Sequence, residues 1–178
     1  MAALPKNIID MVQAEKELPF RPKWDDISDP RFFVFTAPLK TDNLIIGGFE
    51  LRAKVSKKHV DRDALMQLEF TKARRERVEL WRCQWRPFET HQNKNWGPPG
   101  YKLARFESLS HHHPFMENFI ESENRMRGGS LPGAVPIYPD PENLSEFIAF
   151  CGKCFRIKNM EFVDLPSMSA DMFWVTND

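Results

Sequence analysis

The sequence predicts an α+β fold in which four to six mostly antiparallel strands pack against a C-terminal amphipathic helix, with a short N-terminal helix at an edge. Three observations carry this expectation. Phe49, Leu51, Ala53 and Val55 alternate with Glu50, Arg52, Lys54 and Ser56, the period of two that marks a strand with one buried face. The connections between this run and the next alternating runs are too short to hold a crossover helix, so neighbouring strands must be antiparallel. Near the end of the chain, Leu144, Phe147, Ile148, Cys151, Cys154 and Phe155 follow helical spacing without a break.

Taken in order, Ile8, Met11 and Val12, with Leu18 beyond, predict a helix over residues 6–18 that Pro19 and Pro22 terminate. An irregular connection follows, and Phe32 to Thr36 reads as a strand. The run from Leu44 to Ser56 is the clearest strand, with Gly47-Gly48 as a candidate bulge. Met66, Leu68 and Phe70 share one face of a further strand. Val78 to Arg86 forms the next, after the charged turn Lys72 to Glu76. Tyr101 to Glu107 is expected to be a strand, and Phe115 to Arg127 a helix ending at Gly128-Gly129. The C-terminal helix should run from Pro141 to Ile157 with Asp140 as its N-cap. The tail from Met160 to Asp178 carries Phe162, Leu165, Phe173, Trp174 and Val175, enough apolar surface to dock on the domain. The chain is thus read as one domain over 1–178: the N-terminal helix and connection in 1–30, a β-rich core in 31–107, and a His-rich loop, helices and docked tail in 108–178.

Composition narrows the function classes. At 178 residues, with 42% apolar and 28% charged side chains, the balance is globular rather than disordered or membrane-embedded. The formal net charge of zero disfavours nucleic acid as a partner, because phosphate-backbone binding draws on a basic excess. No long apolar run is present, so no membrane association is expected, and a cytoplasmic location with three reduced thiols follows. An exposed sheet edge makes a homodimer the expected assembly.

The polar stretch from Glu89 to Asn118 holds four of the five histidines and is where chemistry would sit. If residues 109–113 are extended, His111 and His113 share a face and His112 points the other way. Such a His-x-His pair supplies two imidazoles to one divalent metal such as zinc. His91 would be a third ligand, with Glu89, Glu117 or water completing the set. The same imidazoles could work without metal as general acid and base, with Arg125 or Arg127 stabilising an oxyanion or phosphate. The third alternative is structural, with the histidines capping turns beside Pro98-Pro99 and Pro114.

Two other patterns read as core. Cys151-Gly152-Lys153-Cys154 has the spacing of a redox or zinc motif, yet it lies on the apolar stripe in the C-terminal half of a helix, where no N-terminal dipole stabilises thiolate. A zinc knot would need further cysteines, and only Cys83 remains. Trp81 and Trp85 alternate with Arg82 and Arg86, a surface that could stack single-stranded nucleic acid; their shared face with Cys83 fits a core better.

Several segments together carry a resemblance: Trp85-Arg86-Pro87-Phe88, Thr90-His91-Gln92-Asn93, Gly97-Pro98-Pro99, Ser110-His111-His112-His113, Leu131 to Ile137, and Lys153-Cys154-Phe155-Arg156-Ile157. Over about residues 77–160 the chain resembles a set of small uncharacterised bacterial proteins that travel with mobile or accessory genes. It is more faintly similar to small toxins of bacterial toxin-antitoxin pairs, although the dense aspartates expected around the histidine loop of such toxins are missing. Neither resemblance assigns a catalytic residue. What they imply is a bacterial accessory or binding protein with a His-lined polar pocket, which binds a small molecule or a protein partner. The alternatives are a small hydrolase or nuclease using the same histidines, and a structural interaction module.

Overall fold

The computed structural model describes residues 4–59, 61–72, 76–128 and 130–167. Its centre is a six-stranded antiparallel sheet built from β1 (Phe32–Thr41), β2 (Leu44–Ser56), β3 (Ala64–Thr71), β4 (Arg77–Trp85), β7 (His111–His113) and β10 (Val135–Pro136), in that spatial order. The first four strands form a meander. Between β4 and β7 the chain leaves the sheet to make a two-stranded ribbon from β5 (His91–Gln92) and β6 (Arg105–Phe106). After β7 it makes a single helical turn, α2 (Phe115–Asn118), and a small hairpin from β8 (Phe119–Ile120) and β9 (Arg125–Met126), then returns as β10.

Helix α3 (Leu144–Phe155) lies on one face of the sheet, and the alternation seen in the sequence decides which side chains meet it. Phe35, Ala37, Leu51, Ala53, Met66, Leu68, Cys83 and Trp85 are buried together with Phe147, Ile148, Cys151 and Phe155. Trp85 stacks on Phe147 with ring centroids 6.2 Å apart, and its indole N–H donates to the Pro141 carbonyl at 2.9 Å. Trp81 packs edge-on against Phe155. Both tryptophans therefore belong to the helix-facing side, while their neighbour Arg82 projects from the other.

The helices are shorter than their periodicity suggests. Helix α1 (Ile8–Gln13) stops because Ala14 is extended and Lys16 doubles back. The fully buried ammonium donates to the carbonyls of Met11, Val12 and Ala14 at 3.1, 2.7 and 2.6 Å, filling the acceptors that a longer helix would have used. Helix α3 begins three residues later than expected. Asn143, not Asp140, is its N-cap and accepts from the Glu146 N–H at 3.0 Å. Asp140 is taken instead by Arg86, at 2.8 Å. The expected helix over Phe115 to Arg127 ends after one turn. Asn118 turns its side chain to the Pro114 and Gly133 carbonyls, and Asn124 reverses the chain in a left-handed conformation (φ 46°). Phe119 and Met126, read as one helical stripe, instead face each other across a hairpin. The expected strand over Tyr101 to Glu107 is only Arg105–Phe106 and pairs with His91–Gln92, not with β4.

One edge of the sheet is partly engaged and the other is very short. The outer side of β1 exchanges hydrogen bonds with Asp25 through Val34, at 2.7 and 3.0 Å, and with Glu17 through Lys40, at 2.9 Å each way. The opposite edge is the two-residue β10, which ends in Pro136. The N-terminal segment thus partly covers the β1 edge, and the β10 edge offers two residues. Residues 168–178, including Phe173, Trp174 and Val175, lie outside the described residues. Among the described residues no helix is long and apolar enough to cross a membrane.

The bulge expected at Gly47-Gly48 is where the β1–β2 register shifts. Gly48 has φ +79°, and a Cβ there would lie 2.5 Å from the Thr71 carbonyl oxygen, whereas one at Gly47 meets nothing within 4 Å. Gly48→Ala should therefore destabilise the fold by about 1–3 kcal/mol from backbone strain alone, and Gly47→Ala should stay within about 0.5 kcal/mol. Urea denaturation of the two variants distinguishes them; equal midpoints would contradict the bulge geometry.

Candidate metal centre

The His-His-His run is itself a strand. Its three residues pair with β4 in the register Gln84↔His111, Cys83↔His112 and Arg82↔His113, and with β10 on the other side. Pleating sends His111 and His113 to the face away from α3 and His112 towards it. The β5–β6 ribbon then folds back over the first face. His91 comes to rest with its ring centroid 5.5 Å from that of His111 and 4.6 Å from that of His113, while His111 and His113 are 5.1 Å apart. One nitrogen from each of the three imidazoles lies within 4.8 Å of the others. Phe106, opposite His91 in the ribbon, stacks on His111 at 5.3 Å.

Two buried asparagines hold this arrangement. Asn93 donates to the carbonyls of Tyr101 and Ala134 at 2.8 and 2.7 Å, and its Oδ1 accepts from the Ala134 N–H at 2.7 Å and from His91 Nε2 at 3.0 Å. Asn118 donates to Gly133 O and accepts from Gly133 N at 2.8 and 2.7 Å. Together they clamp the segment Leu131 to Ala134, whose first carbonyl meets His113.

The hydrogen bonds fix the tautomers of His111 and His113. A carbonyl can only accept, so His111 Nδ1 donates to Leu109 O at 2.7 Å and His113 Nδ1 donates to Leu131 O at 2.5 Å. Both Nε2 atoms therefore carry lone pairs. His91 faces two acceptors, Asn93 Oδ1 at 3.0 Å from its Nε2 and the Pro132 backbone carbonyl. Among the described residues, His111 Nε2 is buried with no hydrogen-bond partner. His113 Nε2 lies 3.4 Å from Arg82 Nη2 and 3.3 Å from Gln84 Oε1.

Burial disfavours the charged form of all three rings. His111 and His113 are both 0% exposed and His91 is half-buried. Desolvation, followed by the neighbouring imidazoles and Arg82, lowers the pKa of His111 to about 4 and that of His113 well below its ordinary 6.5. Desolvation lowers that of His91 as well. A neutral imidazole with one nitrogen anchored to oxygen and the other free, as in His111, is the form in which histidine binds metal.

Other residues marked from the sequence lie elsewhere. Arg125 pairs with Glu123 at 2.5 Å, and the Arg127 guanidinium stacks on Trp96 at 4.6 Å. The guanidinium that reaches the imidazoles is that of Arg82, also bound to Ser130 O at 2.8 Å. Glu117 sits half-buried on α2 and Glu89 is exposed. Neither is among the described residues that meet at ligand spacing. Sequence reading missed Asn93, Asn118 and Arg82. The asparagines sit in a polar loop that signals turns, and Arg82 is one unremarkable position of an alternating strand.

A second convergence lies on the opposite face of β7. Ligand atoms of Cys83, His112 and Cys154 all fall within 4.8 Å of one another. Comparison with protein-family models, with curated proteins and with solved structures finds no match for this chain.

The low native pKa of His111 has a consequence for stability. Between pH 4 and 6.5 the unfolded chain binds a proton at His111 that the native protein does not. Stability then rises with pH across this window and is lost as pH falls from 6.5 towards 4. His113 acts in the same direction. Urea midpoints of chelator-treated protein should fall steadily over that range, and His111→Gln should flatten the slope. An unchanged slope in the variant would show that His111 titrates normally.

Proposed function

We propose that this chain is a metal-binding protein whose His91, His111 and His113 hold one divalent transition-metal ion such as zinc. It would act as a small binding or accessory protein of the kind its sequence resemblance implies. The observation that carries this reading is the orphaned His111 Nε2, a buried lone pair without a partner among the described residues on one of three imidazoles that meet at ligand spacing. A buried acceptor without a donor costs about 1–3 kcal/mol, and a bound cation would remove that cost. Zinc–nitrogen bonds of about 2.0–2.1 Å require the three nitrogens to stand roughly 3.4 Å apart. From the present spacing, ring rotations of about 1 Å suffice.

Gln84 Oε1, beside His113 Nε2, offers a fourth ligand. The Arg82 guanidinium, now at 3.4 Å from that nitrogen, would turn outward to its Glu79 and Ser130 contacts. Because His111 and His113 have no exposure, an ion would enter past His91, the half-open ring. Such burial favours retaining an ion over turning over a substrate.

Protein prepared without a polyhistidine tag and stripped with chelator should bind zinc at this centre with a rise in melting temperature. At free zinc 100-fold above Kd the stabilisation should be about 2.7 kcal/mol. His111→Ala should weaken this binding by more than about 100-fold, and Asn93→Ala by about 10–100-fold, because it releases the imidazole without removing a ligand. Wild-type protein whose melting temperature and imidazole NMR signals ignore zinc would overturn the proposal.

A further inference from the structure

The two faces of β7 carry different chemistry. Towards α3, the pleat of β4 brings Cys83 level with His112 on the neighbouring strand. Helix α3 presents Cys151 and Cys154 from successive turns of its sheet-facing side. Two thiols and one imidazole, Cys83, Cys154 and His112, thus come together from three elements, with Cys151 nearby on α3, in a layer otherwise lined by Trp81, Phe150 and Phe155. Cys154 Sγ lies 4.0 Å from His112 Nδ1. That nitrogen is the lone-pair nitrogen of its ring, since it accepts from the Trp81 indole N–H at 3.2 Å.

We propose that Cys83, Cys154 and His112 form a second, thiolate-rich zinc site, separate from the three-histidine centre and on the opposite side of the same strand. This proposal does not depend on the first site binding metal. Zinc–sulfur bonds of about 2.3 Å and zinc–nitrogen bonds of about 2.0 Å require donor separations of roughly 3.5–3.8 Å, so the three ligand atoms, now within 4.8 Å, need to close by about 1 Å. Cys151, buried on α3 one turn before Cys154, lies outside the group at ligand spacing and is the candidate that would have to move furthest to take the fourth position. That would give a closed Cys₃His set of the structural kind. Each cysteine enters as thiolate, so its proton passes to water as the Zn–S bond forms. Zinc takes over the Nδ1 lone pair of His112, and the Trp81 indole is displaced from it.

Buried free cysteines are common in apolar cores, and three of them alone would need no ligand. The imidazole distinguishes this cluster. His112 is half-buried in an aromatic layer, with its lone-pair nitrogen turned towards sulfur. Cys154 is also half-buried, which gives an ion a way in from the surface. The two centres differ in softness: nitrogen donors on one face, sulfur donors on the other.

Cobalt(II) titration of the reduced, metal-free full-length chain tests this, because only thiolate ligation produces an intense sulfur-to-cobalt charge-transfer band in the near ultraviolet. The wild-type protein should show that band, together with a change in tryptophan fluorescence as Trp81 loses its acceptor, and zinc should bleach it. Cys154→Ser should abolish the band, and His111→Ala should leave it intact. As a check that needs no variant, zinc should slow alkylation of Cys154 in the wild-type protein by more than about tenfold. A folded wild-type protein without the band, a band that survives Cys154→Ser, or alkylation indifferent to zinc would each overturn the proposal.

Discussion

Everything distinctive about this molecule depends on the backbone alternation of one three-residue strand. Hydrogen bonds from β4 on one side and β10 on the other hold residues 111–113 extended. Extended backbone must turn successive side chains to opposite faces. Three identical residues in a row are thereby divided into a buried pair that faces the ribbon and a single ring that faces the helix. In a helical turn the same three side chains would spread around an axis and serve neither cluster.

The surrounding chain supplies what the strand lacks. Ribbon residues contribute His91 and the stacking ring of Phe106, and the asparagine clamps fix the 131–134 segment whose carbonyl sets the tautomer of His113. On the other face, α3 supplies sulfur. The imidazoles are orientated by the backbone carbonyls of Leu109 and Leu131 and by the Asn93 side-chain oxygen rather than by carboxylates. Their environment is desolvated and carries little negative charge, which is why their basicity falls. Arg82 contributes to the same effect from within the sheet.

The parts of the fold that could be read from the sequence are those in which one element is long enough to show its own period. The alternation of β2, the matching runs of β3 and β4, and the stripe of α3 each span several repeats, and each is found where expected. Strands of two or three residues show no period at all. The sequence from Tyr101 to Glu107 and the spacing of Phe115, Phe119 and Met126 were therefore open to misreading, because long-range pairing and Asn side chains, not local pattern, decide their conformation. The candidate site divides in the same way. The common face of His111 and His113 follows from local geometry. The approach of His91 required a loop to fold back over the sheet, a step the sequence permits without specifying. The meeting of Cys83 with Cys151 and Cys154 lies beyond any local reading, since it depends on which face of the sheet α3 covers.

The edges of the sheet bear on how the protein behaves at high concentration. A free edge is a template on which other chains can add strands, the usual beginning of ordered aggregates. Here the N-terminal segment has already taken the hydrogen-bonding groups of β1 around Val34 and Lys40, and Pro38 interrupts what is left. At the far side β10 offers two residues, one of them a proline without an N–H. The segment that connects α1 to the sheet therefore also serves as a guard strip, and removing it would expose a strand ten residues long to pairing with its own copies.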